Sequence, residues 1–162
     1  MARVLISVIS KKVLSIFNSI WSDIDNFNYV PEKIHFLTAE KDYIPHMVLK
    51  EMLTILLEEY KVKNPVIEFH DFEENNYVQV SETIQRLVQQ EQEKNNTFAL
   101  ETTPGKKGDV IPGIMIALHH PSCEHVFYTD LKSFDNVEKS PYYLIPSHLF
   151  QTFDMKKEVV VE

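Results

Sequence analysis

Short apolar runs rich in β-branched residues alternate with longer amphipathic segments along this chain. Runs of this kind are typical of strands buried on both faces of a parallel sheet. We expect strands at 3–9, 33–37, 66–69, 97–101, 125–129 and 142–145. Between them, apolar residues recur at helical spacing. Helices are predicted over 11–23, 44–60, 78–94 and 109–118.

Strands that alternate with helices favour right-handed crossovers and a mainly parallel sheet. The predicted fold is therefore α/β: Rossmann-like, doubly wound and six-stranded, with helices on both faces. The commonest strand order, 3-2-1-4-5-6, makes strands one and four neighbours, and ligands bind outside their carboxyl ends. The length of 162 residues predicts a single domain, residues 1–162.

The two loops at this predicted switch point both carry hydroxyls and lysines. Ser10, Lys11 and Lys12 follow strand one, and residues 102–107 follow strand four. The second loop opens the stretch that holds every glycine of the chain, at 105, 108 and 113. We expect Gly105 either to need a positive φ or to let backbone approach a phosphate.

Lysines at the start of a helix oppose its macrodipole unless an anion is bound there. Lys11 and Lys12 stand at one predicted helix start, and Lys106 and Lys107 at another. The alternative is that these are solvated surface lysines, and that Thr102 and Thr103 are ordinary strand residues. Two adjacent pairs favour an anion site.

Composition excludes several classes of function. The net charge of −8 argues against a partner that is long nucleic acid, and the single cysteine rules out an internal disulfide. No apolar run is long enough to span a bilayer, so a cytoplasmic protein without a membrane segment is expected. The loop after strand one lacks the glycines of a dinucleotide-binding fingerprint. Residues 105–108 match the phosphate-loop motif of NTPases only in part.

One group of residues looks like a metal site: His119, His120, Cys123 and His125. Their spacing fits no standard zinc pattern, so solvated or capping roles are favoured. We therefore expect neither a metal nor a cofactor. A solvated acidic loop after strand three is predicted from Asp71, Glu73 and Glu74.

The run Thr-Pro-Gly-Lys-Lys at 103–107 resembles the Thr-Gly/Pro-Gly-x-Lys signature of CARF (CRISPR-associated Rossmann-fold) domains. Thr103, Gly105 and Lys107 match it, Pro104 is a variant that the family accepts, and Lys106 falls at a variable position. Ser10 matches a hydroxyl that is frequent at the end of strand one. The ligand-binding residues expected from the loops and the resemblance are Ser10, Lys11, Thr102, Thr103, Pro104, Gly105, Lys106 and Lys107.

The resemblance implies a homodimer that binds cyclic oligoadenylate, the messenger of type III CRISPR antiviral defence. A cyclic tetra-adenylate is two-fold symmetric, so four lysines from each subunit could surround its four phosphates. The adenine rings need aromatic or apolar walls. Phe72, Tyr43 and Tyr77 are candidates.

Two functions follow from the resemblance. One is a sensor that acts on a separate partner or an appended effector, of which the chain could be the amino-terminal part. The other is a metal-independent ring nuclease, in which the ribose 2′-hydroxyl attacks the adjacent phosphate and leaves a 2′,3′-cyclic phosphate. Ser10 and Lys107 would be its catalytic residues: Ser10 orienting the hydroxyl or phosphate, Lys107 neutralising the developing charge.

Overall fold

A six-stranded sheet organises the residues that the computed structural model describes, which are 1–39, 45–132 and 139–159. The strands are β1 (Arg3–Ile9), β2 (Lys33–Ala39), β3 (Val66–Phe72), β4 (Thr97–Glu101), β5 (Cys123–Leu131) and β6 (Phe150–Asp154). The helices are α1 (Val13–Phe27), α2 (His46–Glu59), α3 (Tyr77–Glu93), α4 (Lys107–Ala117) and α5 (Met155–Val159). Among the helices of the described ranges, none is long and apolar enough to cross a membrane.

The strand order is β3-β2-β1-β4-β5-β6, which confirms the predicted topology. The pairings from β3 through β5 are parallel, and β6 adds to β5 in the antiparallel sense. Strands β1 and β4 are therefore neighbours at the point where the direction of winding reverses. This is the arrangement from which the two ligand loops were predicted.

Both faces of the sheet are buried, which explains the unbroken apolar sequence of the inner strands. Leu5 and Ile9 of β1 pack with the inner faces of α1 and α2. The alternate residues Val4, Ile6 and Val8 pack with α3 and α4 on the other side. The core is thus two hydrophobic layers separated by the sheet.

The predicted strand at 142–145 is wrong. Tyr142–Leu144 is a single 3₁₀ turn, preceded by Pro141 and followed, after Ile145, by Pro146. The ring of Tyr142 lies 5.7 Å from that of Trp21, and Tyr143 lies 4.5 Å from it, centroid to centroid. These aromatic residues pack on α1 outside the sheet, and β6 (Phe150–Asp154) is the sixth strand instead.

Among the described residues, four asparagines and one lysine have a left-handed backbone, and no glycine does. Positive φ is found at Asn28, Lys61, Asn64, Asn75 and Asn95. The expectation of a positive φ at Gly105 is therefore wrong. A Cβ at this position would lie 2.7 Å from the carbonyl oxygen of Val8 and would collide with the side chain of Val110. Gly105 is needed because the loop after β4 approaches the backbone of β1 closely.

We expect Gly105→Ala to lower the free energy of unfolding by about 1–3 kcal/mol, because the added methyl group overpacks against rigid backbone. Gly113→Ala is the matched control. Its Cβ would lie 3.2 Å from the flexible ends of Ile84 and Leu100, and the helix gains about 1 kcal/mol of propensity. Urea unfolding of the two variants measures the difference. Equal losses would contradict the close approach at Gly105.

Candidate functional site

The loops after β1 and β4 leave the same edge of the sheet side by side. The two strands pair in parallel as far as Ser7 and Glu101, and the Ser7 hydroxyl donates a hydrogen bond to the Glu101 carbonyl oxygen at 3.1 Å. The loops then continue as residues 10–12 and 102–106. Their contact at Gly105 and Val8 fixes their separation.

Each loop opens a helix whose start bears lysine. Lys12 is the N-cap of α1 and Lys106 that of α4, and neither side chain makes a capping hydrogen bond. The first turn of α1 contains no acidic residue, whereas that of α4 contains Asp109, which is buried. The first N–H groups of a helix have no acceptor within it, so both starts can accept an anion.

The lysine side chains lie at the surface of this edge. Lys11, Lys12, Lys106 and Lys107 are all exposed, and Ser10 is half-buried beside them. The Nζ atom of Lys106 lies 3.8 Å from a carboxylate oxygen of Glu74 in the loop after β3. The acidic loop thus reaches the lysine loop, a neighbour that the sequence did not predict.

The two threonines of the second loop fasten it to β5. The Thr102 hydroxyl donates a hydrogen bond to the carbonyl oxygen of Phe127 at 2.7 Å. The Thr103 hydroxyl accepts one from the N–H of Thr129 at 2.8 Å. Pro104, which follows them, is buried. These contacts hold the backbone of the loop in place and present residues 106 and 107 to solvent.

A buried carboxylate that sequence reasoning missed holds this loop from below. Glu101 is fully buried, and its Oε1 atom accepts a hydrogen bond from the N–H of Thr103 at 2.7 Å. Asp23 of α1, also fully buried, is its ionisable neighbour. The one signal in the sequence is a glutamate that ends the otherwise apolar run 98–101.

The two acids share one buried environment. Burial, and after it the charge of Glu101, raises the pKa of Asp23 well above its usual value. Burial also raises the pKa of Glu101, although the hydrogen bonds that this side chain receives, including that from Thr103, oppose the rise. We infer that Asp23 is protonated more readily than Glu101, because the hydrogen bond from the Thr103 amide favours the charged form of Glu101.

The aromatic candidates lie in different environments. Phe72 is fully buried in the core between the sheet and α3, so its expected contact with adenine is wrong. Tyr43 lies outside the described residues. Tyr77, the first residue of α3, is 45% exposed. Its hydroxyl lies 2.9 Å from the position that a Cβ on Gly108 would take, which puts the ring beside the start of α4.

His120, Cys123 and His125 have structural partners, and His119 is exposed. The N–H of Ser122 donates to His120 Nδ1, and His125 Nδ1 lies 2.8 Å from a carboxylate oxygen of Asp154. Burial raises the pKa of the Cys123 thiol to about 12. Within the described residues, the metal-ligand group with suitable spacing is a different one, His35, Glu68 and His70.

A cavity of about 660 Å³ lies between α1 and β6, and its lining contains no residue of the two loops. A site that a second copy of the chain completes does not need to be a deep cavity in one copy.

No protein-family model matches the chain, and no curated protein matches its sequence. The fold is similar to that of Enterococcus italicus Csm6 bound to cyclic hexa-2′-fluoro-hexa-dAMP, with a TM-score of 0.54 and 14% identity. The similarity covers 84% of this chain and 34% of the Csm6 chain. It confirms the predicted Rossmann-like fold.

The buried acid pair predicts a pH dependence of stability. The pKa of Asp23 is higher in the folded protein than in the unfolded chain, so protonated Asp23 favours folding. This contribution to the free energy of unfolding is complete below the unfolded pKa of about 4 and is lost as the pH rises through the folded pKa. We expect wild type to lose stability relative to Asp23→Asn by about 1.4 kcal/mol per pH unit within that window. Melting temperatures between about pH 5 and about pH 9 test this.

The control for this experiment is Asp25→Asn, a substitution at an exposed aspartate on the same helix. Its melting temperature should follow that of wild type across the pH range. Parallel curves for wild type and Asp23→Asn would show that Asp23 is ionised in the folded protein.

Proposed function

We propose that this chain binds cyclic oligoadenylate as a CARF-type sensor in type III CRISPR defence. The observation that carries the proposal is the pair of lysine-bearing helix starts held side by side at the carboxyl edge of β1 and β4. Helix-start N–H groups and lysine ammonium groups both bind phosphate. The fold shared with Csm6, whose structure holds a cyclic oligonucleotide, supports the choice of ligand.

The local charge explains how an acidic protein binds a polyanion. The chain has a net charge of −8, yet Lys11, Lys12, Lys106 and Lys107 lie at one edge. Salt screens charges beyond about 8 Å, so the nearby lysines dominate the potential at the loops. Lys106 forms an ion pair with Glu74, so Lys107 is the stronger candidate for a phosphate contact.

A second copy of the chain completes the proposed site. Cyclic oligoadenylates with four or six units divide equally between two symmetric half-sites. Exposed apolar residues of α2, α3 and α4 support an interface at this edge: Met47, Val48, Val78 and Ile111. Helices of a parallel α/β fold begin at the carboxyl edge of the sheet, and these residues lie in the first two turns of their helices.

The proposed ring has four adenylates, although the analogue named with Csm6 has six. Tyr77 is the described aromatic residue best placed to stack on an adenine. Stacking of a base on an aromatic ring contributes about 1–3 kcal/mol. Titration with both ring sizes decides between them.

A ring nuclease is the second candidate, with Ser10 and Lys107 as its catalytic residues. Loop segments 10–12 and 102–107 contain no histidine or carboxylate to act as a general base, and the neighbouring Glu74 carboxylate pairs with Lys106, which favours the sensor. Incubation of the protein with labelled cyclic tetra-adenylate separates the two functions. Rapid formation of linear products would establish the nuclease, whereas an analogue that lacks the 2′-hydroxyl should bind in either case.

We expect Lys107→Ala to weaken binding of cyclic oligoadenylate about tenfold or more, because a charge-assisted phosphate contact contributes about 1.5–3 kcal/mol. Lys63→Ala, at an exposed lysine after α2, is the matched control. Isothermal titration calorimetry of both variants measures the effect. Equal affinities would place the ligand elsewhere.

The proposed dimer is tested by sedimentation of the free protein and of its complex with ligand. Ile111 is 52% exposed in the first half of α4, and Ile111→Glu should shift the protein toward the monomer because it buries a charge in the interface. Ile55→Glu, at a residue 58% exposed in the second half of α2, should sediment as wild type does. A wild-type monomer with and without ligand would contradict the shared site.

A further inference from the structure

Three potential metal ligands converge between β2 and β3 on the face that packs against α3. His35 of β2 pairs in register with Glu68 of β3, and His70 stands two residues further along the same face. His35 Nδ1 lies 3.0 Å from His70 Nε2 and 3.1 Å from Glu68 Oε2. The third separation, from His70 Nε2 to Glu68 Oε2, is 3.9 Å.

We propose that His35 Nδ1, His70 Nε2 and the Glu68 carboxylate bind a divalent transition metal, with Zn²⁺ as the first choice. Ligand atoms at about 2.0–2.1 Å from a tetrahedral zinc ion are separated from one another by about 3.3 Å. The three measured distances scatter around this value. Two imidazoles and one carboxylate are a ligand set that zinc accepts.

The contact that His35 Nε2 makes supports Nδ1 as the metal ligand. His35 Nε2 lies 3.2 Å from Glu91 Oε1, and Glu91, buried on α3, also accepts a hydrogen bond from Lys33 Nζ at 2.7 Å. A carboxylate in this position holds the proton on Nε2 and leaves the lone pair of Nδ1 toward the metal. The carboxylate–histidine–metal arrangement is thus already in place.

The contact between His35 and Glu68 is one that a cation would stabilise. If His35 donates from Nε2 to Glu91, its Nδ1 lone pair faces the Glu68 carboxylate, and both are acceptors. Without a metal, His70 Nε2 can donate a hydrogen bond to His35 Nδ1 at 3.0 Å, which still leaves a Glu68 oxygen 3.1 Å from that nitrogen. A metal ion between the three atoms removes the repulsion.

Solvent has access to the fourth coordination position. The Glu68 side chain is 47% exposed, and a cavity of about 400 Å³, partly lined by Arg86, opens beside His70. Three protein ligands with one open position are the arrangement of zinc sites that hold water or an exchangeable ligand. The three proposed ligands lie on β2 and β3, whereas the two lysine loops follow β1 and β4. The metal site is therefore independent of the proposed function.

The test is titration of chelator-treated protein with Zn²⁺ by calorimetry, and with Co²⁺ by visible absorption. We expect one metal ion per chain, the intense visible bands of tetrahedral Co²⁺ and a higher melting temperature with Zn²⁺. Glu68→Gln and His70→Ala should each weaken binding about 100-fold or more, because even loss of an outer partner costs 10–100-fold. His148→Ala, at an exposed histidine, should bind as wild type does.

Two results would overturn the proposal. One is equal zinc affinity of wild type, Glu68→Gln and His70→Ala. The other is a sulfur-to-cobalt band in the near ultraviolet, which would place the metal at Cys123. Because Glu68 is half exposed and glutamine has the same shape, Glu68→Gln should fold normally, and circular dichroism of the variant checks that it does.

Discussion

The close approach of the β4 loop to the backbone of β1 fixes the geometry of the candidate site. Gly105 permits this approach because a side chain there would meet the Val8 carbonyl. The contact lies where the winding of the sheet reverses, so it brings together two helix starts that are far apart in the sequence. The relative positions of Lys11, Lys12, Lys106 and Lys107 follow from it. Without this contact the lysines would be four separate surface charges.

The buried polar groups below the loop make it rigid before any ligand arrives. Glu101 holds the amide of Thr103, and the hydroxyls of Thr102 and Thr103 are bonded to β5. A loop that is already ordered loses little conformational entropy when it binds, so more of the phosphate interaction remains as affinity. Burying two carboxyl groups is costly, and keeping Asp23 protonated reduces that cost. The threonines therefore matter first for the shape of the loop.

Sequence patterns predicted the strand order because few topologies satisfy alternating strands and helices with right-handed crossovers. The prediction of a strand at 142–145 was wrong, because an aromatic run that packs on Trp21 has the same apolar pattern as a buried strand.

Sequence patterns also missed the partnership of Asp23 with Glu101, since only the packing of α1 on the sheet brings these residues together. Likewise, His35, Glu68 and His70 are isolated polar residues in two strands. Only the pairing register of β2 and β3 places them on one face, whereas the closely spaced histidines at 119–125 gave a more obvious but different pattern.

Two groups of polar side chains lie on opposite faces of the sheet. Asp23 and Glu101 lie on the side of α1, below the lysine loops, whereas His35, Glu68, His70 and Glu91 lie on the side of α3. An anion at the loops is attracted by exposed ammonium groups and helix starts, so its affinity should fall with added salt. A cation between β2 and β3 is bound by neutral nitrogens and one carboxylate at bonding distance, which salt screens far less. Because the two groups of residues share no side chain, disruption of one site leaves the other available for measurement.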